Sequence, residues 1–196
     1  RLGQALLQHE RAVSLLRVRR GPSEFHRDGA GLHLRPESAL LELGEDYMRA
    51  GLLDRAETLF SDLVGIDVRA ASALRHLISI YQQERDWNKA IDHARRHEAA
   101  TGESQGRLIA QYWCELAEHA RSRRDLDGAR RYLAEAFTCE PNCVRGLIIA
   151  GRMALDGGDS EGAVRAFERV VDQDVEFVPE ILGPILSCYE KLGQAA

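Results

Sequence analysis

Residues 43–57 read Leu43-Gly44-Glu45-Asp46-Tyr47-Met48-Arg49-Ala50-Gly51-Leu52-Leu53-Asp54-Arg55-Ala56-Glu57. Leu43, Gly44 and Tyr47 follow the three- and four-residue steps of one helix face, and Gly51 then breaks the run. A second stripe begins at Leu52, Leu53 and Ala56. The stretch predicts two short helices joined by a tight turn. Such a pair cannot bury its apolar faces alone, so a stable chain needs neighbours of the same kind.

The unit returns. Aligned on the alanine that follows the turn, four copies centre on Ala56, Ala90, Ala129 and Ala163, with spacings of 34, 39 and 34 residues. Thirteen residues earlier stand Leu43, Leu77, Leu116 and Ala150; twelve earlier, Gly44, Ile78, Ala117 and Gly151; nine earlier, Tyr47, Tyr81, Ala120 and Ala154. Four residues later come Phe60, Ala94, Leu133 and Phe167, and seven later Leu63, His97, Ala136 and Val170. This alternation of small and large residues at a 34-residue period is that of the tetratricopeptide repeat. The breakers between the two stripes are Gly51, Asp86, Asp125 and Gly158-Asp159, and each aspartate is placed to cap its second helix. Pro141 stops the third unit.

The expected fold is therefore all-α, a right-handed superhelical solenoid of antiparallel helix pairs. Its repeats fall at 37–70, 71–104, 110–143 and 144–177. The longer central spacing places the extra residues in the polar turn Thr101-Gly102-Glu103-Ser104-Gln105-Gly106. The first helix of a fifth repeat covers 179–193, carried by Leu182, Ile185, Leu186, Tyr189 and Gly193, and Pro184 predicts a kink or a late start within it. No second helix follows, so the chain reads as part of a longer solenoid that starts at Arg1 rather than Met, with an open end suited to self-association. Residues 1–36 read as a degenerate repeat: Leu6, Leu7, Ala12, Val13, Leu15, Leu16 and Val18 suggest a helix, Gly21-Pro22 its stop, and a long loop follows.

Composition narrows the function. The 196 residues carry 26 basic and 31 acidic side chains, a net charge of −5 that argues against a general nucleic-acid binder. No apolar run reaches the roughly 18 residues a membrane span needs. The basic residues are 24 Arg and 2 Lys (Lys89, Lys191), which reads as genomic base composition rather than chemistry. Four cysteines in a chain of this length suggest reduced thiols, not a disulfide framework.

Candidate chemistry is sparse. His93 and His97 stand four apart on one predicted helix, a spacing that suits a metal, but His97 occupies a packing column and no third ligand lies nearby. Cys139 and Cys143 flank Pro141, while Cys114 and Cys188 fall on first helices of other repeats, so ordinary buried thiols are expected rather than zinc ligands. No nucleophile elbow, phosphate loop or metalloprotease helix is present, and Asp156-Gly157-Gly158 is a turn between helices. An enzyme is not expected. What remains is the groove that first helices line in such arrays. Its non-packing positions carry Glu45, Arg49, Arg75, Ser79, Gln82, Gln111, Cys114, Glu118, Arg121, Arg145 and Arg152. An Arg-bearing face of this kind suits forked contacts with the carboxylates of an extended partner.

Beyond the repeat class, the segment from Leu40 to Gly193 resembles the lipopolysaccharide assembly protein B family, bacterial tetratricopeptide-repeat proteins of the inner membrane. The resemblance rests on residues 43–57, on Ile80-Tyr81-Gln82, on Asp86-Trp87-Asn88-Lys89-Ala90-Ile91-Asp92, on Tyr112-Trp113-Cys114-Glu115-Leu116-Ala117 and on Cys188-Tyr189-Glu190-Lys191-Leu192-Gly193. It implies a non-catalytic adaptor at the cytoplasmic face of the inner membrane that limits lipopolysaccharide synthesis. In that role it binds the lipid A deacetylase and a membrane-bound ATP-dependent zinc protease, and promotes turnover of the first by the second. The family also carries an N-terminal membrane helix and a C-terminal rubredoxin-like zinc module with paired C-x2-C motifs. Neither is present in this sequence, so membrane anchoring and zinc are expected only of further segments of a parent protein, and no cofactor is expected in this chain. The alternative reading is a scaffold that holds lipopolysaccharide-making enzymes together without affecting proteolysis. A peptide-binding co-chaperone would need Lys and Asn in its groove, and neither Lys lies in the set above.

Overall fold

The computed structural model describes residues 36–66 and 70–193, which contain no strand. The helix and loop expected within residues 1–35 lie outside the described residues. The chain forms two compact units, Arg1–Glu103 and Ser104–Ala196. In the first, α1 (Pro36–Arg49) packs on α2 (Leu53–Gly65), α2 on α3 (Ala70–Glu84), and α3 on α4 (Trp87–Thr101). The second holds α5 (Gly106–Ser122), α6 (Leu126–Cys139), α7 (Val144–Asp156), α8 (Ser160–Gln173), a 3₁₀ turn (Val175–Phe177) and α9 (Val178–Lys191). There α5 pairs with α6, α7 with α8 and α8 with α9, while α5 and α7, the first helices of successive pairs, also touch. This is the all-α tetratricopeptide architecture that the 34-residue period predicts.

The alignment columns are the core. Ala56, Ala90, Ala129 and Ala163 are all completely buried, because a larger residue at the helix crossing would push the pair apart. Two further columns compensate each other in size. Phe60 and Phe167 are fully buried, and each lies against a glycine of the first helix. A methyl group on Gly44 would stand 2.5 Å from the Phe60 ring, and one on Gly151 2.4 Å from the Phe167 ring. Where the later column is small, as at Ala94, the earlier one is large, Ile78; the third pair is Ala117 with Leu133. The hairpin thus keeps a constant filled volume with interchanged contributors.

One turn, repeated four times, joins each pair. The residue five before each core alanine has positive φ: Gly51 at 72°, Arg85 at 57°, Arg124 at 62° and Gly158 at 77°. The next residue returns its amide to the first helix, Leu52 to the Tyr47 carbonyl at 2.9 Å, Asp86 to Tyr81 at 2.9 Å, Asp125 to Ala120 at 3.0 Å and Asp159 to Ala154 at 2.8 Å. These bonds, five residues back, close a Schellman cap. The same aspartates then cap the helix they precede: Asp86 accepts from the Lys89 amide, Asp125 from Gly128 and Asp159 from Gly162. The Leu52 side chain has no hydrogen-bond acceptor, so α2 starts without a side-chain cap. A side chain at positive φ strains the backbone, and Gly removes that strain. Arg85→Gly and Arg124→Gly should each stabilise the fold by about 1 kcal/mol, and Asp159→Ala should cost about 1 kcal/mol. Urea midpoints of the three variants test both signs.

Two expectations change. The extra central residues do not all sit in a polar turn. The turn spans only Gly102–Gln105, and α5, beginning at Gly106, is 17 residues long against 14, 15 and 13 for α1, α3 and α7. The surplus thus lengthens a first helix at its start. The last helix does not start late: α9 begins at Val178 with Pro179 in its first turn, where a missing amide costs nothing, and continues through Pro184 to Lys191. Its outer face leaves Leu182 and Leu186 about half exposed, at 49% and 51%.

Candidate partner-binding face

The candidate residues all lie on the first helices of their pairs. In the first unit α1 and α3 supply Glu45, Arg49, Arg75, Ser79 and Gln82. Glu45 Oε1 lies 3.3 Å from His76 Nε2, and the imidazole stacks on Phe60 with ring centres 4.6 Å apart. Burial of His76 keeps its pKa below the usual histidine value, against the pull of Glu45. Arg49 is held by Asp46 on its own helix. Arg75 and Gln82 are exposed, and neither side chain has an ion-pair or hydrogen-bond partner among the described residues.

The second unit is built differently, because its arginines are already engaged. Arg121 donates from Nε and Nη2 to both oxygens of Glu118, at 3.0 and 2.7 Å, and from Nη1 to Asp156 at 2.6 Å. Arg145 reaches Glu115 at 3.2 Å, and Arg152 reaches Glu180 at 2.8 Å. Three of these four links run between successive first helices. The Arg121 guanidinium holds the Glu118 carboxyl below its ordinary pKa, and the charges of Arg152 and Arg145 lower it further. Three arginines therefore meet four carboxylates in a lattice of forked, charge-assisted bonds. An acidic or amide-bearing group approaching such a face would have to take over bonds now made internally, which favours selectivity and registry over raw charge attraction.

At one end of this lattice a hollow of about 560 Å³ is lined by Arg107, Gln111, Asn142, Cys143, Arg145 and Phe177, among others. It brings together Gln111 and Arg145 of the candidate set. Glu118, Arg121 and Arg152 belong to the ion-pair lattice instead.

Cys114 does not belong to the face. It is completely buried, with its Sγ 3.6 Å from that of Cys143. Ile148, at the aligned position of α7, is buried as well, so in this unit the slot faces the core rather than a groove. His93 and His97 do not converge either: His93 Nδ1 is bonded to the Lys89 carbonyl at 2.8 Å, while His97 is buried at 2% with neither ring nitrogen hydrogen-bonded. Among the described residues no cluster of three or more metal-ligating side chains occurs, and no helix is long and apolar enough to cross a membrane.

Sequence reasoning missed the carboxylates Glu115, Asp156 and Glu180. A signal for them exists. They stand 30, 35 and 28 residues from their arginines, close to one repeat period, which is the separation that stacking brings side by side.

Comparison with known proteins agrees with this geometry. The tetratricopeptide-repeat family profile matches residues 41–104 and 114–176. The chain is 39% identical over 158 residues to lipopolysaccharide assembly protein B of Escherichia coli, covering 81% of this chain and 41% of that protein. The protein of the same name from Haemophilus influenzae is 32% identical over 153 residues, covering 78% of this chain and 38% of its own length. The chain thus spans about two fifths of the curated relatives it matches. Among solved structures, the MamA protein superimposes with a TM-score of 0.51 at 17% identity, over 81% of this chain and 84% of that one, a likeness of fold alone.

Proposed function

From the premise that this chain belongs to the tetratricopeptide-repeat family, we propose that it is the protein-binding part of an adaptor in lipopolysaccharide regulation. Its chemistry is recognition rather than catalysis. The observation that carries the reading is the 39% identity over 158 residues, 81% of this chain, to lipopolysaccharide assembly protein B. The ion-paired first-helix face supports it, since such surfaces hold a partner in one register by swapping internal bonds for external ones.

The finer reading follows the family resemblance. The adaptor engages the lipid A deacetylase and a membrane-bound ATP-dependent protease, at the cytoplasmic face of the inner membrane, and so shortens the lifetime of the deacetylase. Membrane attachment and zinc would belong to other segments of the parent protein. In the first unit Arg75 and Gln82 are the side chains assigned to a partner, with Glu45, Arg49 and Ser79 around them; in the second unit they are Gln111, Arg145 and Arg152, with Glu118 and Arg121 around them.

The test is the deacetylase half-life in the source bacterium after translation is blocked. Deleting the parent gene should lengthen it severalfold, and a copy encoding the parent protein should restore it. An unchanged half-life would contradict the adaptor reading and favour a scaffold without a role in proteolysis.

A further inference from the structure

None of Cys114, Cys139, Cys143 and Cys188 is in a disulfide, and Cys114 and Cys143 meet. Cys114 lies in the middle of α5 and Cys143 caps the start of α7, and their Sγ atoms are 3.6 Å apart. The contact joins two successive first helices directly beside the Arg145–Glu115 ion pair.

The two sulfurs differ in environment. Cys114 is fully buried, whereas Cys143 retains 7% exposure and forms part of the hollow lined by Arg107, Gln111 and Arg145. A small solute entering the hollow reaches Cys143 first, with Cys114 behind it. The hydrogen bond from the Cys114 thiol, together with the amides of Gly146 and Arg145 at the helix start, lowers the Cys143 pKa against the effect of burial. The same bond and burial raise that of Cys114. A sulfur at the edge of the hollow backed by a second, fully buried sulfur is the arrangement of an attacking and a resolving cysteine.

We propose that Cys143 and Cys114 form a peroxide-responsive dithiol that closes to an intramolecular disulfide and pins α5 to α7 beside the candidate partner face. Cys143 thiolate attacks one peroxide oxygen and the O–O bond breaks. The departing hydroxide takes up the proton released by Cys143 and leaves as water, and Cys143 becomes a sulfenic acid. The Cys114 sulfur then attacks the Cys143 sulfur, the S–O bond breaks, and the hydroxyl leaves with the Cys114 proton as a second water. Two electrons pass from the sulfurs to one peroxide. A low-molecular-weight thiol reverses the reaction by exchange. Bond formation draws the sulfurs together by about 1.5 Å, and each is one or two residues from a member of the Arg145–Glu115 pair, so oxidation re-aims that pair.

The test uses the whole reduced chain, exposed to a small excess of hydrogen peroxide, alkylated, digested and analysed by mass spectrometry. A linked peptide joining Cys114 to Cys143 should accumulate, with two of the four thiols lost and Cys139 and Cys188 still alkylated. Dithiothreitol should restore all of them. In Cys114→Ala, Cys143 should stop at a sulfenic acid trapped by dimedone, and Cys143→Ala should slow peroxide consumption about tenfold. The wild-type map stands even if a variant fails to fold. Absence of the linked peptide, a link through Cys139 instead, or Cys143 reacting no faster than Cys139 would overturn the proposal.

Discussion

Phe167→Ala should destabilise the second unit by about 4 kcal/mol, the range for truncating a fully buried aromatic ring. The ring belongs to a buried cluster with Leu147, Ile148, Ala163, Val164, Val170 and Ile181, and helix-borne residues of this kind cannot collapse to fill its volume. Its partner across the hairpin gives a sharper test, because general propensity and local packing disagree in sign. Gly→Ala inside a helix normally gains up to about 1 kcal/mol. At Gly151 the new methyl would sit 2.4 Å from a ring that has nowhere to go, so Gly151→Ala should instead cost about 2 kcal/mol. Combining it with Phe167→Leu should cost less than the sum of the two single changes by about 1 kcal/mol or more. Gly157→Ala, whose methyl would meet its nearest atoms at 3.5 Å, should be nearly silent. Chemical denaturation of these variants distinguishes a filled interface from a tolerant one.

Arg121→Ala carries the largest effect expected from the polar face. It breaks a two-pronged bond to Glu118 and a third bond to Asp156, and leaves Glu118, 29% exposed, without its main partner. Partial exposure discounts the loss to about 1.5 kcal/mol at neutral pH and moderate salt. The pH dependence identifies the cause. The folded-state pKa of Glu118 is lowered, so the stability it contributes is present above its unfolded value and is lost as pH falls through the folded one. The stability gap between wild type and Arg121→Ala should therefore be full at neutral pH and narrow below about pH 4. A gap that persists unchanged in acid would mean that Arg121 acts through the packing of its aliphatic stem instead.

The fold was legible because its determinants are local and periodic. Ala56, Ala90, Ala129 and Ala163 mark crossing points that tolerate little else, and Asp86, Asp125 and Asp159 mark helix starts by a single side-chain bond each. The positive-φ turns at Arg85 and Arg124 were not legible by residue type, since Gly occupies only the first and fourth copies. Register placed them; chemistry did not. The face was partly legible. Position along the first helices brought Arg121, Arg145 and Arg152 into the candidate set, but their pairing with carboxylates one repeat away is not encoded in either helix alone. Cys114 is buried and meets Cys143 across two first helices, a contact that no pattern within either helix encodes.

The most direct measurement is the equilibrium affinity of the purified chain for the lipid A deacetylase, for wild type and for Arg75→Ala combined with Arg145→Ala. Arg75 is exposed and Arg145 makes a single 3.2 Å bond, so their joint loss should leave the helical circular dichroism unchanged. Saturable wild-type binding, weakened about tenfold or more in the double variant, is the expected result. No binding by the wild-type chain, or equal affinity for both proteins, would contradict the assignment of this face to a partner.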